Sequence, residues 1–159
     1  MRYKTVKFKN AFTIIEAMLA ITVLLIAILG TSAFRYHTAL SARRADLHTT
    51  SARVALLLCE GWTGTGGATN FDPVAAFEAD VNIISSVGPA TPTGFTSIGS
   101  YRIMLEGNDY YATMSWQNIA AELRALNVIV SWDQFGRGTV QFTNANKLYR
   151  LTTYVENPN

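Results

Sequence analysis

The most prominent pattern in the chain is an apolar stretch near its N-terminus. Residues 17–34 contain no charged side chain, and between Phe12 and Phe34 the one charged residue is Glu16. A helix that crosses a bilayer needs about 20 predominantly apolar residues. The pattern therefore predicts a membrane-spanning helix over residues 12–34.

A second, amphipathic pattern continues directly from the first. Bulky apolar side chains recur at intervals that place them along one stripe of a helix. They are Tyr36, Leu40, Leu47, Val54 and Leu58. We expect the helix to continue over residues 35–58 and to pack this stripe on a globular body. A coiled-coil partner is the alternative, but Ala33 and Ser51 leave the heptads incomplete.

Residues 59–100 are rich in turn-forming residues and predict a loop region with one short helix. Asp72 is expected to cap that helix, with Pro73 at its first position, and apolar spacing extends it over about residues 73–81. The run Gly64–Gly67 has neither the following Lys-Ser or Lys-Thr nor the preceding strand of a phosphate-binding loop. It is therefore interpreted as a loop.

Residues 101–159 alternate between apolar and polar positions and predict an antiparallel β head. Gly107, Asn108 and Asp109 form the first expected turn, and residues 118–126 could be a short helix or an irregular crossing. Strands are predicted over five segments: 101–105, 110–116, 128–132, 139–142 and 149–155. Four or five antiparallel strands packed on the long helix give an α+β fold.

Charge is distributed unevenly along the chain. The 13 basic and 11 acidic residues give a formal net charge of +2. Four of the cations occupy the first nine positions, whereas from Val54 onward acidic residues predominate. Those N-terminal cations are Arg2, Lys4, Lys7 and Lys9. A basic flank tends to stay in the cytoplasm, so we expect the rest of the chain to be exported.

The acidic body disfavours a general nucleic-acid-binding function, and nucleic acid is not an expected partner. A local excess of arginine in residues 35–53 leaves DNA binding as a subsidiary hypothesis. These arginines are Arg35, Arg43, Arg44 and Arg53. Lipid phosphates and acidic faces of neighbouring subunits are the partners that we expect for them.

The sequence contains no set of residues with the spacing of a catalytic or metal site. His37 and His48 are about three helical turns apart, and Asp109 and Asp133 fall in predicted turns, where their carboxylates bond to nearby backbone. Cys59 is the one cysteine in the chain, so an internal disulfide is excluded, and we expect it to be a small buried residue. The chain is predicted not to be an enzyme, with no cofactor and no metal.

The segment Ala11-Phe12-Thr13-Ile14-Ile15-Glu16, followed by the apolar run, resembles the N-terminal signal of type IV pilins and type II secretion pseudopilins. In this family a prepilin peptidase removes a basic leader and methylates the new amino terminus. The resemblance implies a leader over residues 1–11, cleavage between Ala11 and Phe12, and N-methylation of Phe12. The family usually has glycine where this chain has Ala11.

The resemblance also implies a role for the acidic residue of the motif. A carboxylate at the start of a membrane helix is unfavourable unless a cation pairs with it. In the family that cation is the amino terminus of a neighbouring subunit. Glu16, with Thr13 beside it in the motif, is therefore expected to set the register of assembly, paired with Phe12 of the next subunit.

The C-terminal part carries a weaker resemblance. Residues 127–132, a turn with Gly136 and Gly138, and residues 148–155 are similar to the end of PilV-like minor pilins and of one minor pseudopilin. The resemblance implies a minor pilin or pseudopilin, held in the inner membrane with a periplasmic head before it joins a filament. The implied partners are the prepilin peptidase, other subunits contacting the N-terminal helix, and the inner membrane.

Two further functions fit the apolar segment. Thr31-Ser32-Ala33 would suit signal peptidase and give a secreted protein, but the segment is longer than the usual ~7 to 15 residues and begins with a carboxylate. The second is a single-span, membrane-anchored binding protein that keeps Met1. Both differ from the pilin hypothesis in the N-terminus of the mature chain.

Overall fold

A computed structural model describes residues 13–77, 81–135 and 141–156. The elements, in chain order, are helix α1 (Ile14–Gly64), helix α2 (Pro73–Phe77), strands β1 (Asn82–Ser85), β2 (Thr96–Leu105), β3 (Asn108–Ala120) and β4 (Leu123–Trp132), a 3-10 helix (Phe142–Asn144) and strand β5 (Lys147–Glu156). This is the predicted α+β, pilin-like arrangement: a long N-terminal helix packed on an antiparallel sheet. The chain forms two compact units, Met1–Ala42 and Arg43–Asn159.

In the second unit, α1 packs on the sheet through one buried stripe. Its members recur every three or four residues, as expected for one face of a helix. They are Leu47, Ser51, Val54, Ala55, Leu58, Cys59 and Trp62. The predicted packing of Leu47, Val54 and Leu58 is confirmed, whereas Tyr36, in the first unit, is 66% exposed. The small Ser51 donates its hydroxyl to the His48 carbonyl at 2.7 Å, so the stripe buries no unpaired hydroxyl there.

The helix ends later than the sequence suggested, at Gly64 instead of Leu58. Trp62 is fully buried, so packing on the sheet extends the helix beyond the predicted end. Gly66 and Gly67 then adopt positive φ angles of 67° and 70°, and the Gly67 N–H donates to the Trp62 carbonyl at 3.1 Å. The glycine run is thus a C-terminal helix cap, a position that favours glycine.

The five strands lie in the sheet in chain order, β1-β2-β3-β4-β5, and all pairs are antiparallel. The strand residues of the apolar core cluster all contribute to the packing with α1. They are Ile83, Tyr101, Ile103, Tyr110, Ala112, Met114, Leu126, Val128, Val130 and Trp132. Pairings such as Ala112 with Val130 keep small and large side chains opposite each other in this layer.

The sheet is more extensive than predicted. Strand β1 and the start of β2 at Thr96 lie within residues 59–100, which were expected to be loop. The short helix or crossing considered for residues 118–126 is wrong, since Asn118 pairs with Arg124 across the β3–β4 hairpin. Its helix-forming residues adopt strand because neighbouring strands supply pairing partners, and context outweighs propensity in sheets.

Two other predicted elements, the short helix and the strand over residues 139–142, extend into residues that the structure does not describe. Helix α2 is confirmed, with the Val74 N–H donating to the Asp72 carboxylate at 3.0 Å, although Val81 lies outside it and residues 78–80 lie outside the described residues. Residues 139–140 of the predicted strand 139–142 are also outside the described part. Phe142 itself is in a 3-10 helix and packs edge-on against Tyr111, with ring centroids 5.5 Å apart. On the side of β4 away from β3, the strand that pairs with it is β5.

The sheet face opposite α1 is also covered, and its buried side chains are mainly polar. Thr113 is 1% exposed and donates to the Pro89 carbonyl at 2.7 Å, which fixes the loop after β1 over this face. Asn127 is 2% exposed and donates to the Thr152 hydroxyl at 2.8 Å. Because both faces are covered, β4 is buried along almost its whole length.

Arg124 joins the end of α1 to the β3–β4 hairpin. It is 7% exposed and donates to the Gly67 carbonyl at 2.8 Å and to the Asn118 side-chain carbonyl at 2.9 Å. Its guanidinium carbon lies 4.5 Å from the Trp116 ring centroid. Charge-assisted hydrogen bonds and ring stacking thus hold a buried cation in place.

We predict that Gly67→Ala destabilises the second unit more than Gly66→Ala. Both substitutions place alanine at a positive φ, which costs about 1–2 kcal/mol. An added Cβ meets nothing within 4 Å at Gly66, but at Gly67 it would lie 2.7 Å from Val155 Cγ2. Overpacking adds about 1–3 kcal/mol. Urea unfolding of the detergent-solubilised chain, followed by tryptophan fluorescence, measures both. Equal midpoints for the two variants would contradict the close packing of Gly67.

Candidate functional site

The described part of the candidate site is the first turn of α1. Thr13 immediately precedes the helix, and its carbonyl accepts the first helical hydrogen bond, from the Ala17 N–H at 3.1 Å. The Thr13 hydroxyl accepts a second one, from the Glu16 N–H at 3.3 Å. Thr13 is therefore the N-cap of α1, and it satisfies a backbone donor that has no partner within the helix.

This capping role was not predicted from the sequence, although the signal is present. Threonine at the N-cap and glutamate three residues later have the spacing of a capping box. From the sequence, Thr13 and Glu16 were expected to act in assembly alone. The structure gives them a local role in fixing where the helix begins.

Glu16 is exposed in the first turn of α1. The positive end of the helix dipole favours an acid there. The nearest basic residue among those that the structure describes is Arg35, about five helical turns further along the chain. The carboxylate therefore lies at the start of an apolar helix surface. Among the described residues, no cation is close to it in the sequence.

Several predicted site residues lie outside the described residues. They are the leader cations Arg2, Lys4, Lys7 and Lys9, and the predicted cleavage and methylation positions Ala11 and Phe12. Cleavage and methylation therefore stay predictions. Of the motif, the structure describes the segment from Thr13 to Glu16, which it brings together in one helical turn.

The helix that follows is long and apolar enough to cross a membrane. Its most apolar window has a mean hydropathy of 2.4 and is 0% buried within the protein. Ile14 is 81% exposed and Phe34 is 71% exposed, and the helix between them is about 30 Å long at 1.5 Å per residue. That length equals the thickness of a bilayer's hydrocarbon core.

Two threonine hydroxyls within this apolar helix are satisfied by its own backbone. Thr22 donates to the Met18 carbonyl at 2.8 Å, and Thr31 donates to the Ala27 carbonyl at 2.7 Å. An unpaired donor is costly in hydrocarbon, where no water can replace the missing partner. These bonds make both threonines compatible with a lipid environment.

The remaining titratable candidates do not form one site. His48 packs edge-on against Trp132 and Tyr149 at 5.8 Å from each. Asp133 accepts a hydrogen bond from the Phe135 N–H at 3.2 Å, the turn geometry that was predicted. Asp109, predicted in a turn, is instead the second residue of β3, because the turn is made by the two residues before β3.

Within the described ranges, no group of three or more His, Cys, Asp or Glu residues could hold a metal ion.

Cys59 is 4% exposed, as predicted for a small core residue. Burial raises the pKa of its thiol, the nearby Glu60 carboxylate raises it further, and a hydrogen bond with Thr63 acts in the opposite direction. Since the thiolate is the reactive form, the raised pKa keeps this group unreactive at neutral pH.

Comparison of the chain with protein-family models, with curated proteins and with solved structures gives no match. The interpretation of the site therefore depends on the motif and on the geometry of α1.

We predict slow modification of Cys59 in the folded chain. Its labelling by iodoacetamide at pH 8 should be at least about tenfold slower than in denaturant, because folding buries the thiol and raises its pKa. The rate in the folded protein should also rise at a higher pH than the rate in the unfolded chain. Quantifying carboxamidomethylation by mass spectrometry checks this, and equal rates would show that the thiol is accessible.

Proposed function

We propose that this chain is a structural subunit, a minor pilin or pseudopilin, of a type IV pilus or type II secretion filament. The observation that carries the proposal is the Thr13–Glu16 motif at the start of an apolar helix whose most apolar window is not buried by any described part of the chain. The same helix continues into a second unit in which one stripe is fully packed on a sheet. In a filament, the helices of neighbouring subunits would pack against the exposed apolar part of α1 and bury it.

In this proposal the precursor lies in the inner membrane, with residues 1–11 in the cytoplasm and the second unit in the periplasm. The basic leader supports this orientation, because positively charged flanks are retained in the cytoplasm. Prepilin peptidase then cleaves between Ala11 and Phe12 on the cytoplasmic side and methylates Phe12. The four leader cations are lost, and the new amino terminus supplies a single cation.

Glu16 then pairs with the Phe12 amine of a neighbouring subunit. A carboxylate buried among apolar helices is strongly unfavourable alone but is tolerated when it is paired and hydrogen-bonded. Because Thr13 fixes the first turn of α1, the carboxylate is presented at a defined height on the helix. The pair consequently favours one axial offset between adjacent subunits over all others.

The surface of α1 supports close packing of neighbouring helices. A shallow groove with a volume of ≈ 350 Å³ runs along the helix from Leu24 to Arg35, and three of its six lining residues are small: Ala27, Thr31 and Ser32. Small residues of this kind let helix backbones approach each other in membranes. The groove lies within the first unit, in the segment that the proposal places in the membrane and then in the filament.

A single-span, membrane-anchored binding protein is the second candidate function. The observation in its favour is the N-cap, since a first-turn acid after Thr13 is explained by local helix stability without any neighbouring subunit. Secretion after signal peptidase cleavage is less well supported. Thr31, Ser32 and Ala33 lie in the uninterrupted helix α1.

Mass spectrometry of the mature N-terminus separates the three functions. We expect the chain purified from its native membrane to begin at N-methylated Phe12. A chain that keeps Met1 would favour the single-span anchor, and a chain that begins at Phe34 would favour secretion. Either of these two results would end the pilin proposal.

The substitution Glu16→Gln should leave processing intact but reduce incorporation into filaments at least about tenfold, because it leaves a buried ammonium unpaired. Glutamine at this position preserves the capping box, so this variant removes the charge without removing the cap. Thr13→Ala is the matched variant that keeps the charge and weakens the cap by about 1 kcal/mol.

Immunoblots of sheared filaments and of membranes from the same cells measure incorporation. We expect Thr13→Ala to reduce it much less than Glu16→Gln does. If Glu16→Gln assembles as well as the unsubstituted chain, Glu16 acts as a helix-capping residue alone and the register mechanism is wrong.

A further inference from the structure

A cavity with a volume of ≈ 270 Å³ opens within the second unit, at the end where α1 enters it. Its described lining consists of Arg44, His48, Trp132, Gln134 and Lys147. Arg44 and His48 lie one helical turn apart on α1 and face the same side. Trp132, the last residue of β4, pairs with Lys147, the first residue of β5. Two strand ends and one helix therefore converge on this cavity.

Among the described residues, the lining carries two cations and no carboxylate. Arg44 and Lys147 are both exposed, and the Arg44 guanidinium carbon lies 6.0 Å from the Phe135 ring centroid, which keeps this cation beside the opening. The two acids closest in sequence, Asp46 and Asp133, are not among the lining residues. Asp133 is 6% exposed and accepts the Phe135 N–H, and Asp46 is two residues from Arg44, a spacing that does not share a helix face.

The floor of the cavity is aromatic. Trp132 is 4% exposed, and the His48 ring contacts the Trp132 and Tyr149 rings edge-on at 5.8 Å. These contacts place the His48 ring against the buried Trp132 ring, at the edge of the opening.

We propose that this cavity binds a phosphate group. The side chains of Arg44, Lys147, His48 and Gln134 offer more donors than the two oxygens of a carboxylate can accept, whereas a phosphate presents three or more acceptor oxygens and up to two negative charges. The volume suits a headgroup and is below the ~300–1,000 Å³ of pockets for larger ligands. The phosphate belongs either to an anionic phospholipid or to a soluble phosphoester, and the site does not depend on the proposed filament function.

Calorimetric titration of the full chain in a non-ionic detergent with sn-glycerol 1-phosphate tests the shared chemistry. The double variant Arg44→Gln/Lys147→Gln should bind at least about tenfold more weakly, because each charge-assisted hydrogen bond contributes to affinity. Arg53→Gln/Arg150→Gln is the matched control. It removes the same charge from exposed residues on the same helix and strand that do not line the cavity, and it should bind within about twofold of the unsubstituted chain.

Native mass spectrometry distinguishes the two sources of phosphate. The chain is released from micelles that contain equal amounts of phosphatidylglycerol and phosphatidylcholine. Preferential retention of phosphatidylglycerol that is lost in Arg44→Gln/Lys147→Gln identifies a lipid headgroup. Binding of glycerol phosphate without such retention identifies a soluble phosphoester.

Three results would overturn the proposal. The first is that neither ligand binds the unsubstituted chain. The second is that both double variants weaken binding equally, which indicates diffuse attraction. The third is that acetate at the same ionic strength binds as tightly through Arg44 and Lys147, which indicates a carboxylate site. The four substituted residues are exposed, and unchanged thermal unfolding of each variant shows that a loss of binding is local.

Discussion

The burial of one helical stripe against the sheet, from Leu47 to Trp62, is the contact on which the rest of the architecture depends. Each fully buried Leu or Val side chain contributes about 1.5–3 kcal/mol, and the stripe fixes the sheet to the helix. The earlier turns of the same helix are also apolar, and no described residue buries their most apolar window. The sheet thus buries the apolar side chains of the second half of α1. The apolar side chains of the first half need a lipid bilayer or other subunits to bury them.

The features that depend on short-range periodicity could be predicted from the sequence. The apolar run before Arg35, the stripe through Val54 and the cap of α2 at Asp72 each follow from residues a few positions apart, and the structure contains them. Side-chain period alone distinguishes such helices from strands. The part of the β2–β3 hairpin from Tyr101 onward was predicted for the same reason.

The features that depend on distant partners could not be predicted. Residues 118–126 have the composition of a helix but become strand because β2 and β5 flank the hairpin. Arg124 is held by Gly67, which is distant in the chain, and the cavity at Arg44 needs the ends of β4 and β5. The spacing of neighbouring residues does not predict these long-range contacts, because they form only when the chain folds.

The consecutive order of the strands has a consequence for biosynthesis. Each strand from β2 onward finds its partner already made, so the sheet can grow as the chain emerges, and local pairing of this kind favours fast folding. The last strand, β5, covers the long edge of β4, whose residues are buried on both faces. A chain that stalls before Lys147 would leave that edge open to other copies, so its rapid degradation would protect the cell from aggregates.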